Sequence, residues 1–295
     1  MTPTSQTTTQ IGAVLPHNEI GVDPGAIRAY LQGVEALGLS HLLVYDHVLG
    51  ADRNATVGFS GTYDSDTAFH EPLTFLSFAA AVTTSIELVT TVLILPQRQT
   101  ALVAKQAAEL AVLSSNRFRL GVGVGWNGIE YEALGVDFRA RGARLEEQVE
   151  VLRKLWDEPT FTYRGNFHSL TAAGINPRPS TSVPLWFGGS APAALERCAR
   201  LGDGWMPLGG SGDKTRQCLD MIRTHREALG MSMDNFGVQA QAQFAGGSPE
   251  KWAVQGQRWK ELGATHLAIA THNAGPTDVD GHLDRLRQVR DAFLS

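Results

Sequence analysis

The sequence predicts an α/β fold, a closed (β/α)8 barrel of parallel strands with insertions. Three observations point there. Short apolar runs bounded by Gly or Pro alternate with longer segments of helical period, about eight of each. No linker, charge run or low-complexity tract divides the chain at its midpoint. The length of 295 residues suits a barrel, which forms one domain at roughly 250 residues. An open doubly wound sheet is the competing architecture. The number of units and the missing midpoint favour closure. One domain is therefore expected over residues 11–295, behind a polar, Thr-rich tail at 1–10. That tail has no apolar core and does not read as a signal peptide.

The first strand is read at 11–15, stopped by Pro16. Asp23-Pro24 is a helix cap followed by a first-turn proline, and its helix ends at Gly38. The second strand, 42–45, ends in Asp46-His47. Residues 49–70 lack periodicity and read as a functional loop over one end of the fold. Glu71-Pro72 opens a helix to about 84, and strand three runs from 86 to 95. A helix at 100–113 leads to strand four at 118–124. The helix at 141–156 carries Leu145, Val149, Leu152 and Trp156 on one stripe. Residues 160–170 look like an added hairpin. Strands follow at 185–187, 204–206, 236–244 and 266–270, with helices at 192–201, 214–229, 249–262 and 279–293.

Composition excludes several classes. A formal net charge of −5 gives no ground for a nucleic-acid or anionic-membrane partner. No apolar run approaches the ~18 residues of a spanning helix, so a cytoplasmic location is expected. Cys198 and Cys218 have no metal-binding spacing and read as free thiols. No metal is expected.

In such barrels the active site lies at the C-terminal strand ends. There the stretch RFRLGVGVGWN, residues 117–127, stands out. Phe118, Leu120, Val122 and Val124 occupy one strand face; Gly121, Gly123 and Gly125 occupy the other. A bare face admits either another backbone or a flat ring. The spacing is not a dinucleotide fingerprint. Asp46-His47 places an imidazole at a strand end, able to act as acid, base or oxyanion partner. Its bland alternative is a histidine bonded to a loop carbonyl. Whether His17, His70 and His272 join it in space is not decided by spacing. Gly188-Gly189-Ser190-Ala191 precedes Pro192 and offers backbone N–H groups at a helix start, an anion site or simply a tight turn. Arg98 and the cluster Arg139, Arg141 and Arg144 read first as solvated.

Together YDHVLGAD, FHEPL, LVTTVLILPQRQTALVAKQAAELAVLS, RFRLGVGVGWN and PLWFGGSAPAALERCARLGDGWM resemble the bacterial luciferase-like family. They are similar in particular to its actinobacterial branch that uses the deazaflavin coenzyme F-420. The resemblance covers about residues 11–230. It implies a TIM (β/α)8 barrel, a cofactor at the C-terminal mouth, and a homodimer. The activity implied is hydride transfer between F-420 and a small organic substrate. The alternative is an FMN-dependent monooxygenase fed by a separate reductase.

By position the resemblance implies that His47 is catalytic and near the reactive ring, with Asp46 beside it. Val92 and Leu93 fall at a bulged non-proline cis peptide behind the ring. Gly123, Val124 and Gly125 match the wall, and Gly188, Gly189, Ser190 and Ala191 the phosphate turn. Sugar-phosphate dehydrogenases of the family carry a glutamate directly after the strand-four glycines. Trp126 and Asn127 stand there instead, with Glu130 three residues further and out of expected reach. Trp126, Asn127 and His70 are therefore expected to line an apolar or aromatic substrate pocket.

Overall fold

The computed structural model describes residues 9–56, 60–275 and 277–294. Residues 1–8 of the tail expected at 1–10 lie outside the described residues, and strand β1 (Gln10–Val14) begins one residue earlier than the sequence suggests. Helix α1 (Pro24–Ala36) starts where Asp23 Oδ2 accepts the Ala26 N–H at 2.8 Å. It buries Ile27, Tyr30, Leu31 and Val34, the i, i+3, i+4, i+7 stripe of a helix laid on a sheet. After β2 (His41–Val44), α2 (Pro72–Val82) is capped by Glu71. Strand β3 (Glu87–Thr90) and α3 (Thr100–Leu113) follow. Between them the expected third strand is interrupted. A cis peptide joins Thr91 to Val92, and β4 (Leu93–Ile94) resumes the strand beyond it.

Strand β5 (Phe118–Gly123) leads to a short α4 (Gly128–Ala133), which periodicity did not reveal, and to α5 (Arg141–Asp157). A hairpin of β6 (Phe161–Arg164) and β7 (Ser169–Ala173) is attached next. The remaining units are β8 (Leu185–Gly188), α6 (Pro192–Leu201), β9 (Gly204–Met206), α7 (Asp213–Ala228), β10 (Gly237–Gln243), α8 (Pro249–Glu261), β11 (His266–Ala270) and α9 (Val279–Leu294).

The main sheet is parallel and closes on itself. Its order is β3-β2-β1-β11-β10-β9-β8-β5-β4, and β3 also pairs with β5 through Leu88↔Phe118 and Val89↔Arg119. Counting β3 and β4 as one interrupted strand gives the eight-stranded barrel expected. Apolar residues on the outer strand faces pack under the helices, among them Leu42, Leu88, Leu120, Val122 and Ile269. A second, smaller cluster fills the barrel interior: Val14, Leu43, Val89, Trp186, Met206, Ala268 and Ala270.

The floor of the barrel is polar and tightly filled. Arg119 is buried, donates to Glu87 at 2.7 Å and stacks on the Trp186 indole at 3.9 Å. His41 shares Gln239 with it. Gly204 and Gly237 are required here, since a Cβ on either would lie within 2.5 Å of the Trp186 ring. Burial lowers the Arg119 pKa, with Glu87 opposing. Among the described residues no helix is long and apolar enough to cross a membrane.

Candidate active site

Strand β2 ends by presenting three side chains to different surroundings. Tyr45 continues the inward face and donates its hydroxyl to Gln241 Oε1 at 2.9 Å. Asp46 is buried, and both its oxygens are occupied. Oδ2 accepts the Ile94 N–H at 2.8 Å, and Oδ1 accepts from Arg98 at 2.7 Å. Arg98 also donates to Glu71. Burial pushes the Asp46 carboxyl up, against the pull of Arg98. Burial likewise opposes the charge on Arg98, but Asp46 and Glu71 outweigh it and raise its pKa. Asp46 therefore brackets β2 to β4, and Arg98 is paired rather than solvated.

His47 emerges at the barrel mouth. Its Nδ1 lies 3.1 Å from Glu130 Oε1. Glu130 is 1% exposed and also accepts from the Val48 N–H, the Leu49 N–H and Gln97 Nε2. Burial opposes its charge, but the bonds from His47, Gln97 and Leu49 outweigh that and hold its pKa below the carboxylate range. An ionised Glu130 requires a proton on Nδ1, which orients the ring and leaves Nε2 as the working nitrogen. Helix α4 makes the contact possible. Asn127 caps it by accepting the Ile129 N–H, and the helical turn swings Glu130 back over the mouth. The expectation that Glu130 falls short is thus overturned. Asn127 is buried: one end caps α4, and the other reaches the Leu49 carbonyl at 3.5 Å, so it tethers the loop to the helix.

The bare face of β5 does look into the mouth, but it is not empty. A Cβ on Gly123 would lie 2.5 Å from Val92 Cγ2, and one on Gly188 would lie 2.8 Å from Val92 Cγ1. Val92 thus fills the furrow between the two glycine positions, carried there by the residue pair at the cis peptide. That peptide precedes Val92 and not Leu93. Leu93 is buried in the outer core, and Val124 packs on the same cluster. Strand alternation turns both side chains outward, towards the helical layer. Gly125 has φ 63° and leans on Ile94.

Gly188 leads into Gly189, whose φ of 113° favours glycine. The Trp205 indole N–H donates to the Gly189 carbonyl at 2.8 Å and fixes the turn. Ser190 and Ala191 are exposed ahead of α6, and no side chain caps that helix. Pro192 has no N–H and the Ala194 N–H donates to the Ala191 carbonyl, so the Ala193 N–H and the positive dipole end remain for an anion.

Across the mouth, the loop over 49–70 lays aromatic rings on the histidines. Phe69 stacks on His17 at 4.2 Å, and Tyr63 meets both His17 and His47. Trp126 approaches His47 edge-on at 5.7 Å between centroids. His17 and His272 do converge, at 5.8 Å. His70 turns to Phe75 at the rim. Glu130, Gln97, Tyr63 and Phe69 were not singled out as site residues; only Glu130 carried a sequence signal, an acid just past the glycine strand.

The hairpin is tied to the helical layer. Glu147 of α5 accepts from His168 Nδ1 at 2.8 Å, and His168 Nε2 meets Thr100 at 2.6 Å. Arg144 likewise donates to the Pro96 carbonyl and Arg141 stacks on Phe138, so these two are not a merely wet face. The surface depressions of about 760 and 570 Å3 lie along α5 with the hairpin and around Asn176 to Thr181, away from the mouth. Among the described residues no cluster of His, Cys, Asp and Glu is placed to hold a metal.

Known proteins align with this arrangement. Uncharacterized protein Rv0940c of Mycobacterium tuberculosis is 38% identical over 179 residues, 58% of this chain and 62% of that protein. An F-420-dependent glucose-6-phosphate dehydrogenase of Kineococcus radiotolerans is 31% identical over 63% of this chain and 52% of its own length. An FMNH(2)-dependent dimethylsulfone monooxygenase of Pseudomonas fluorescens is 30% identical over 72% of this chain and 56% of its own. The matches thus span between half and two thirds of these relatives. In three dimensions, an F-420-dependent secondary alcohol dehydrogenase superposes with a TM-score of 0.79 at 18% identity, covering 97% of this chain and 99% of that one. This last likeness concerns the barrel alone. The family model for luciferase-like monooxygenases matches residues 3–290, and the chain therefore belongs to that family.

Proposed function

We propose that the protein is an oxidoreductase that moves hydride between F-420 and a small organic substrate at the barrel mouth. The observation that carries this reading is the His47–Glu130 pair, in which buried Glu130 of α4 meets His47 at the end of β2, beside the Val92 platform and the glycine wall. The residues fit a flat ring with an anionic tail. Val92, Gly123 and Gly188 form a surface of small protrusions, and the uncapped start of α6 suits a phosphate. Bound there, the deazaflavin would supply the hydride donor or acceptor.

The chain's own residues do the rest. Glu130 orients His47 so that Nε2 can hold or release a proton at a substrate oxygen. Asp46 holds Ile94 and so the strand that carries Val92. Tyr63, Phe69 and Trp126 exclude water from the mouth. A single domain and a homodimer belong to the same reading.

A second reading keeps the mouth and changes the cofactor. The Pseudomonas relative is FMNH(2)-dependent and matches the largest share of this chain among the three named, 72%. Titration of the protein's tryptophan fluorescence with F-420 and with FMN separates the two. Quenching at lower concentration by F-420 is expected. Tight FMN binding with no response to F-420 overturns the first reading in favour of a monooxygenase.

A further inference from the structure

The side of the mouth away from the glycine wall carries an unexplained group. His17 is 3% exposed, and neither of its ring nitrogens has a hydrogen-bond partner among the described residues. A neutral imidazole has one donor and one acceptor. Leaving both unmatched in a native interior calls for a reason. His272 repeats the feature beside it: 6% exposed, with Nδ1 unmatched.

The surroundings are apolar and aromatic. Phe69 lies over His17 with an interplanar angle of 19°, and Tyr45 and Tyr63 meet it edge-on at 5.3 and 5.9 Å. Burial and the neighbouring His272 push the His17 pKa down to about 4, helped by His47 and His70 and opposed by the Leu15 backbone, which lies near the ring but outside hydrogen-bond geometry with either nitrogen. His272 is lowered by burial, with Glu19 pulling the other way. The leading influences on His17 include no arginine or lysine. Arg98, the nearby cation of the rim, is committed to Asp46 and Glu71.

We propose that His17, with His272 beside it, is the substrate-binding pole of the mouth and selects uncharged carbonyl or hydroxyl compounds over anionic ones. Neutral imidazoles can donate to or accept from such an oxygen. They offer a phosphate, sulfonate or carboxylate no countercharge, and Glu19 would repel one. Phe69 now covers the imidazole, so an entering molecule takes the place of its ring. A flat or cyclic neutral compound suits that position. This inference rests on the reading that a small molecule reacts at this mouth, but not on which cofactor serves it.

The test is binding by the full chain, measured by saturation-transfer NMR without cofactor. The probes are 2-cyclohexenone and its ring-carboxylated analogue, with wild type, His17→Phe and His17→Gln compared. Wild type should bind the enone about tenfold more tightly than the carboxylate. His17→Phe should weaken the enone about tenfold, and His17→Gln, which keeps a donor and an acceptor, should stay within about threefold. Affinity for F-420 should be equal in all three. The His17 ring resonances of the wild type should also shift as the enone saturates, a readout independent of any variant's folding.

Equal binding of the carboxylate, no saturable enone binding, or unmoved His17 resonances would each overturn the proposal. Enone binding lost in His17→Phe, with no hydride transfer from reduced F-420, would sink the cofactor reading alone. Hydride transfer with preference for the carboxylate would sink this inference alone.

Discussion

Two histidine–glutamate pairs in this molecule look alike and differ in what the second nitrogen does. At the mouth His47 Nδ1 meets Glu130 at 3.1 Å; on the hairpin His168 Nδ1 meets Glu147 at 2.8 Å. Both carboxylates also accept backbone N–H groups, and both have pKa values below the ordinary range. The hairpin imidazole is closed at both ends, because Nε2 is taken by Thr100. His47 makes no described hydrogen bond through Nε2. A paired histidine with both nitrogens occupied is a fastener, whereas one with a nitrogen left over, like His47, keeps the atom that the proposed proton transfer needs. The pair's own geometry does not distinguish the cases.

The largest expected effect tests that distinction directly. His47→Ala should lower kcat by ~10²–10⁴-fold while leaving F-420 affinity nearly unchanged in fluorescence titration. His168→Ala should leave kcat within about twofold and cost ~1–3 kcal/mol in urea unfolding. Equal losses of turnover would erase the contrast. Next, Glu130→Gln should cost roughly 10²-fold in kcat. His47, Val48 and Leu49 all bond Oε1 while Gln97 bonds Oε2, so an amide that keeps its oxygen towards the first three loses the charge that holds the Nδ1 proton and sets its NH2 against that of Gln97. A stability loss without a kcat loss would place Glu130 with Glu147 as a fastener.

Acid sharpens the comparison further. His17 has a folded pKa near 4 against an ordinary 6.5. The unfolded chain takes up the proton first as pH falls. Its contribution is thus complete above about 6.5 and lost as pH drops towards about 4, worth up to ~3 kcal/mol. Unfolding free energy followed across that window should decline, and His17→Phe should flatten the slope. The smallest effect concerns the wall. Gly123→Ala should cost ~1–3 kcal/mol by overpacking against Val92. Adding Val92→Ala should recover most of it, which thermal melts of the double variant can show. No recovery would mean that Val92 is not what fills the furrow.

Much of this was legible in the chain. The barrel was legible because its signals are local: period two on strands, period 3.6 on helices, and caps such as Asp23 and Ser248 at helix starts. The mouth residues followed from the strand ends. What was not legible depended on space rather than spacing. Glu130 looked too distant because sequence reading measures along the chain, and the α4 turn shortens the path. The glycine face looked empty because Val92 enters it from a neighbouring strand, interrupted in a way that no periodicity signals. Leu93 and Val124 looked like wall residues because proximity in sequence hides which face a side chain takes. Phe69 and Tyr63 come from a loop with no regular period at all.

The filled floor has its own consequence. With Arg119 stacked on Trp186 beneath the interior cluster, traffic through the barrel axis is blocked at that end. Whatever comes in over the rim must go out over it. Two reactants that share one entrance load in order, the deeper one first and released last. The product released last would then inhibit competitively against the first partner to bind and in mixed fashion against the second.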